Sequence, residues 1–183
     1  MVILLLRVFE AFSGYGSQSL ALERLGIEHK VVGISEIDEN ALKGYYALHS
    51  KSIKNFGDIS QISPTDLPKF DLFTYSFPCT SISLTGKMEG IERGKTSSGL
   101  LYECERIIEY CRPKYLLMEN VKSLVGSRYK GKFEEWLKYL ESLGYKNQWF
   151  VLNARDFDVP QNRERVFCVS ELDNQPNLMF PKL

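Results

Sequence analysis

Short apolar runs alternate with amphipathic stretches along most of the chain, which predicts strands and helices in turn around a parallel sheet, an α/β domain. The first strand is expected over residues 4–12. A Gly-Tyr-Gly turn follows, then a helix carrying Leu20, Leu22 and Leu25 that Gly26 ends. A second strand is expected over 30–35, with a helix from about 39 to 48. Residues 53–56 can form a short strand, Pro64 and Pro68 mark a loop, and 70–76 reads as the next strand. Leu100, Leu101, Cys104, Ile107, Ile108 and Cys111 recur at helical spacing. A strand after Pro113, over 115–118, runs on into Glu119-Asn120-Val121. Phe133, Trp136, Leu137, Leu140 and Leu143 form a second clean helical stripe, closed by Gly144. Final strands are expected over 149–152 and 166–169.

Residues 77–99 have no periodicity and hold four glycines with Ser and Thr between them. A stretch of about twenty such residues inside a domain marks a functional or disordered loop. The organisation read from this pattern is one domain over residues 1–171, with 172–183, containing Pro176 and Pro181, as an exit segment or linker.

The chain's 183 residues suit a single domain, and 44% hydrophobic with 13% aromatic residues excludes a disordered chain. Lys+Arg and Asp+Glu both number 23, so net charge is zero and a polybasic nucleic-acid binder is excluded, though a local basic face is not. Four scattered cysteines and two histidines lack metal-ligand spacing, so no metal is expected. Reduced thiols and a cytoplasmic location are expected instead. The run Val2–Leu6 stops at Arg7 and is too short to span a membrane.

Candidate chemistry gathers at predicted strand ends. Phe12-Ser13-Gly14-Tyr15-Gly16 leads from a strand into a helix, where glycines let a ligand approach the backbone and free N–H groups await it. Glu36 and Asp58 stand after the next two predicted strands, where acidic side chains can accept hydrogen bonds from ribose hydroxyls; each could equally cap a helix. Together the three positions suit a nucleoside-containing cofactor. Cys79, in Ser76-Phe77-Pro78-Cys79-Thr80, lies at a strand's C-terminal end ahead of the loop, as a nucleophile or as an inert thiol. Cys104, Cys111 and Cys168 fall on apolar stripes and fit the inert reading. Glu119-Asn120-Val121 ends a strand at the same edge. Gln161-Asn162-Arg163-Glu164-Arg165 precedes the last strand and suits either an anion clamp or a surface ion-pair cluster.

Taken in this order over residues 9–169, these segments resemble the cytosine-5 DNA methyltransferase family. The resemblance implies a Rossmann-like S-adenosylmethionine-dependent methyltransferase fold, with a mostly parallel twisted sheet, helices on both faces and an incomplete C-terminus. It implies methyl transfer from S-adenosylmethionine to carbon 5 of a flipped cytosine through a covalent Cys79 adduct. Glu119 would hold and protonate ring nitrogen 3. Asn120 would shape the Pro78-Cys79 loop, Arg165 would contact the base, and Arg163 would position the nucleophile loop and DNA backbone. For the cofactor, Phe12 would stack near the adenine and Glu36 would bind the ribose. Ile37 would pack on the adenine, Asp58 and Ile59 would read its amino edge, and Ser13, Gly14, Tyr15, Gly16 and Phe77 would complete the site. Ser81, Lys87, Arg93 and Lys95 would meet double-stranded DNA.

The chain departs from the family at Ser17, where another Gly is frequent, at Ser76-Phe77 and at Thr80. It also ends at Leu183, ahead of the family's target-recognition region and last helix. A second polypeptide supplying those parts is therefore expected, as in split members of the family; a truncated chain or a decayed gene would read the same. The competing expectations are a non-catalytic cofactor-binding scaffold and a transfer-RNA methyltransferase. The source is expected to be bacterial or phage.

Overall fold

The computed structural model describes residues 5–79, 91–92 and 97–172. Its strands are β1 (Leu6–Ala11), β2 (His29–Ser35), β3 (Leu72–Tyr75), β4 (Tyr115–Val121), β5 (Tyr145–Asn153) and β6 (Glu164–Leu172); its helices are α1 (Ser17–Arg24), α2 (Glu39–Leu48), α3 (Leu101–Cys111) and α4 (Lys130–Ser142). Among the described residues these strands make one sheet, ordered β2-β1-β3-β4-β6-β5. The first four in that order pair in parallel.

Local chemistry sets the helix ends. Asp38 caps α2, its Oδ1 accepting from the N–H groups of Asn40 at 2.7 Å and Ala41 at 2.9 Å. Gly26 and Gly144 take left-handed φ values of 66° and 87° just beyond α1 and α4, as expected of helix-terminating glycines.

Alternation along the strands then divides the core. Phe9, Phe73, Tyr75, Leu116 and Met118 join one apolar cluster with Leu101, Cys104 and Ile108 of α3 and Phe133, Trp136 and Leu140 of α4. The intervening positions face α1 and α2. There Glu10 of β1, fully buried, accepts from Ser19 Oγ of α1 at 2.7 Å and Tyr45 Oη of α2 at 2.6 Å. Burial, then the Glu10 carboxylate, pushes the Tyr45 hydroxyl far above its ordinary range, so it remains a donor.

The mostly parallel sheet expected from the resemblance is found, with β6 running antiparallel to both β4 and β5. The ten residues between β5 and β6 are short for a crossover, so the chain turns back as a hairpin and inserts β6 beside β4. Two other expectations need correction. Residues 53–56 make no strand, only a single bridge between Asn55 and Ile34. The Asn55 side chain takes the local donors instead, accepting from Glu36 N at 3.1 Å and Gly57 N at 3.0 Å. Finally, strands β4, β5 and β6 are each longer than the runs 115–118, 149–152 and 166–169, because pairing extends past the apolar residues. Residues 173–183 lie outside the described part.

Gly16 tests the turn into α1. It holds φ +71°, and a Cβ there would sit 2.7 Å from the Tyr45 ring and against the His49 ring. Gly16→Ala is expected to cost about 3 kcal/mol through left-handed strain and overpacking. For a domain of this size that lowers the melting temperature by roughly 10 °C, readable by calorimetry.

Candidate active site

The C-terminal ends of β1, β2, β3 and β4 lie along one edge of the sheet, and because β6 is antiparallel its beginning arrives there too. Val121 pairs with Arg165 and Glu119 with Phe167. The antiparallel insertion thus brings the Gln161–Arg165 segment to the edge that carries the other candidate residues.

A cavity of about 720 Å³ opens at this edge, walled by Phe12–Tyr15, Gln18, Ser76, Glu119, Arg163 and Arg165. Ala21, Leu22 and Leu25 of α1 continue the wall, with Leu117, Leu152, Phe157 and Phe167 opposite. The lining therefore mixes apolar side chains with the charged Glu119, Arg163 and Arg165, as a site for an amphipathic small molecule requires.

The loop 12–16 carries two marks of a ligand site. Phe12 holds φ +55°, a strained conformation for an aromatic residue that the surroundings must impose. Ser13 Oγ is buried and has no hydrogen-bond partner among the described residues, a polar atom that a bound molecule would satisfy. The loop hangs from β2: Phe12 N donates to Ser35 O at 2.8 Å, and Gly14 N donates to Glu36 Oε2 at 2.9 Å. The other Glu36 oxygen accepts from Ile37 N at 2.8 Å and Asp38 N at 2.9 Å. Three of the carboxylate's roughly four acceptor positions thus organise the chain itself. Ile37 is 70% exposed beside it.

Asp58 caps a one-turn helix, accepting from Ser60 N at 2.9 Å. The helix-cap reading therefore describes its present contacts. Ile59 is buried in the core, so its backbone rather than its side chain can meet a ligand. Glu36 holds the loop through Gly14, and Glu36, Ile37, Asp58 and Ile59 do not line the cavity described above.

At β3 the chain leaves the sheet through Ser76, Phe77, Pro78 and Cys79. Asn120 Nδ2 donates to Phe77 O at 3.0 Å, and Ser98 Oγ donates to Pro78 O at 2.7 Å. Cys79 is half-buried against the core's edge. The other thiols differ. Burial raises those of Cys111 and Cys168 to about 11, and Cys104 well above its ordinary value; they stay protonated and unreactive at neutral pH. On β4, Glu119 Oε1 lies 3.1 Å from Arg165 Nε, each side chain about one-fifth exposed. Arg163 is fixed by its backbone, its N–H donating to Asn153 Oδ1 at 3.1 Å. Ser81, Lys87, Arg93 and Lys95 lie outside the described residues. Among the described residues no cluster of His, Cys, Asp and Glu suits a metal ion, and no helix is long and apolar enough to cross a membrane.

Gln18, Asn55, Ser98 and Asn153 shape the site and were not singled out in the sequence. Each acts through a long-range polar contact, which leaves no periodic trace. The signal available was only that polar residues with amide or hydroxyl groups fall beside the motifs.

A family model for the C-5 cytosine-specific DNA methylase matches residues 6–182. The type II methyltransferase M2.ScrFI of Lactococcus lactis subsp. cremoris is 45% identical over 231 residues, covering 97% of this chain and 64% of that protein. The orphan methyltransferase M.Rho11sI of Bacillus phage rho11s is 37% identical, over 90% of this chain and 32% of its own length. The crystal structure of the S. pombe Dnmt2 methyltransferase superposes with a TM-score of 0.75 at 26% identity, covering 94% of this chain and 50% of that one. The chain therefore spans between about one-third and two-thirds of these relatives.

Proposed function

The chain belongs to the C-5 cytosine-specific DNA methylase family, and from that premise we propose that it transfers a methyl group from S-adenosylmethionine to carbon 5 of cytosine in DNA, with Cys79 as nucleophile. The observation that carries the reading is the Glu119–Arg165 pair. It stands across one cavity from the strained loop 12–16, and β4, which bears it, lies next to the strand that delivers Cys79.

The residues present fit the cofactor. Ser13 Oγ, unpartnered among the described residues, and the mixed polar and apolar lining beside it suit the charged amino-acid end and sulfur-bearing chain of that molecule. Phe12, Ser13, Gly14, Tyr15 and Gly16 would hold it, with Phe77, the free acceptor position of Glu36, exposed Ile37, and Asp58 and the Ile59 backbone at the adenosine. When bound, S-adenosylmethionine supplies an electrophilic methyl group that the activated base carbon takes up.

The chain's residues do the activating. Carbon 5 of cytosine is a weak nucleophile until a thiolate adds at carbon 6 and the ring electrons shift toward carbon 5. Cys79 supplies the thiolate. Glu119 holds ring nitrogen 3 and delivers a proton there as charge develops, while Arg165 fixes the carboxylate and reaches the base's carbonyl oxygen. After methylation a base removes the proton from carbon 5, the carbon 6–sulfur bond breaks with its electron pair leaving on Cys79 as thiolate, and the proton on ring nitrogen 3 returns to Glu119. Asn120 and Ser98 hold the peptide that carries Cys79, and Arg163 positions that loop and the DNA backbone. A base within a duplex is out of reach, so it must be flipped into the cavity. Sequence recognition is assigned to protein outside the described residues, in the same polypeptide or a second one. M2.ScrFI and M.Rho11sI belong to a bacterium and a phage, which supports action in a bacterial cytoplasm.

Duplex DNA bearing 5-fluorocytosine tests this directly. The fluorine cannot leave as the proton does, so a cofactor-dependent adduct that survives denaturation and maps to Cys79 is expected. Cofactor binding without an adduct on any DNA would leave a binding scaffold, and an adduct only on RNA would change the substrate.

Glu36→Ala should weaken S-adenosylhomocysteine binding. It removes the acceptor of three backbone N–H groups that shape the loop and its neighbour. Hydrogen bonds to a charged group contribute about 1.5–3 kcal/mol, so titration calorimetry should show a dissociation constant roughly 10- to 100-fold higher.

A further inference from the structure

Besides the catalytic groups, the cavity wall contains a contact that joins its two working segments. Gln18 Nε2, in the first turn of α1, donates to Ser76 Oγ at 3.0 Å across 58 residues of sequence. Gln18 stands two residues after the loop 12–16, and Ser76 three residues before Cys79. Both side chains line the cavity.

The surrounding bonds give this contact its meaning. On one flank the loop 12–16 is tied to β2 through Ser35 O and Glu36. On the other flank, the segment carrying Cys79 is tied through Asn120 and Ser98. β1 and β3 are neighbours whose last residues, Ala11 and Tyr75, pair directly. The two segments therefore leave the sheet side by side, and Gln18–Ser76 bridges them above the last backbone pair. Through this amide, a shift of the first turn of α1 would be felt at Ser76.

We propose that Gln18 is a positioning residue that couples occupancy of the cofactor loop to the placement of Cys79, acting through the Ser76 hydroxyl. The proposal rests on the methyltransferase reading above and adds to it a route by which the nucleophile senses the cofactor before DNA arrives. Coupling of this kind requires that both sites bias one physical element; here that element is the peptide from Ser76 to Cys79.

The test is the rate at which iodoacetamide alkylates Cys79 in the full chain, followed by mass spectrometry of its peptide so that Cys104, Cys111 and Cys168 are counted separately. The rate is measured with and without saturating S-adenosylhomocysteine, whose binding is verified by calorimetry. In the wild type, the ligand should change the Cys79 rate by about threefold to tenfold, the effect expected of one neutral hydrogen bond. In Gln18→Ala the ligand should still bind, with the change largely gone. Ser76→Ala, which removes the acceptor with little loss of volume, should behave the same way. A ligand effect of wild-type size in both variants would overturn the proposal, because the ligand would then be shielding Cys79 directly. A wild type that binds the ligand with no change in rate would overturn it too. Failure of the wild type to bind at all would instead strike the methyltransferase reading itself, and the coupling with it.

Discussion

Cys79→Ala should abolish methyl transfer, with a loss on the order of 10⁴-fold or more, the scale expected when a covalent nucleophile is removed. Binding of S-adenosylhomocysteine should stay within about threefold of wild type, less than 1 kcal/mol. The two parts of the prediction come from separate places in the structure. The loop 12–16 hangs from Ser35 at the end of β2 and from Glu36 just beyond it, whereas Cys79 follows β3 and packs at the core's edge. Removing a half-buried thiol leaves those backbone bonds intact. The three remaining thiols cannot substitute: burial keeps Cys104, Cys111 and Cys168 protonated at neutral pH. Turnover with labelled cofactor, alongside calorimetry on the same preparation, reads both quantities. Equal loss of binding and turnover would mean that the thiol holds the site together rather than attacking the base.

Glu119→Gln should lower turnover by roughly 10²- to 10⁴-fold, the usual contribution of a positioned proton donor. The amide nearly matches the carboxyl in shape, so β4 and its pairing with β6 should persist. What changes is the partner of Arg165, whose Nε lies 3.1 Å from the carboxylate. Arg165 then loses its charge partner, and ring nitrogen 3 loses its proton source. Adduct formation with 5-fluorocytosine DNA should slow by a similar factor, since protonation assists attack at carbon 6. If turnover fell while adduct formation kept its wild-type rate, Glu119 would act after the attack.

Much of this site could be read from the chain because its chemistry sits where strands end. An apolar run followed by Gly14 and Gly16, by Glu36, by Pro78-Cys79 or by Glu119-Asn120 marks a strand's C-terminal edge and the group it presents there. Helix α2 was legible for a similar reason: Asp38 caps it, and the apolar spacing carries it to Leu48. The antiparallel placement of β6 was not. An apolar run such as Val166–Val169 looks the same in either direction, and only the length of the preceding connection bears on the choice. Residues 53–56 misled because Phe56 and Ile53 suggest a strand, whereas Asn55 spends its side chain on Glu36 and Gly57. Gln18–Ser76 joins distant positions, and Asn153–Arg163 the two sides of a hairpin, through polar atoms, and hydrophobic patterning is silent about such pairs.

The same physics explains why Glu36 has two uses. Its carboxylate was expected to meet a ribose, and in the structure it already gathers the N–H groups of Gly14, Ile37 and Asp38. A residue that shapes the loop and also touches the ligand loses both when truncated, which is why its substitution is expected to act on affinity first.

The most direct test of the account is the product. The full chain is incubated with labelled S-adenosylmethionine and mixed-sequence duplex DNA, alone and with protein that restores the remaining length of its relatives, and the nucleosides are separated by mass spectrometry. The account predicts label in 5-methyldeoxycytidine, dependent on Cys79. Label on an exocyclic nitrogen, or label on carbon 5 that survives in Cys79→Ala, would contradict it.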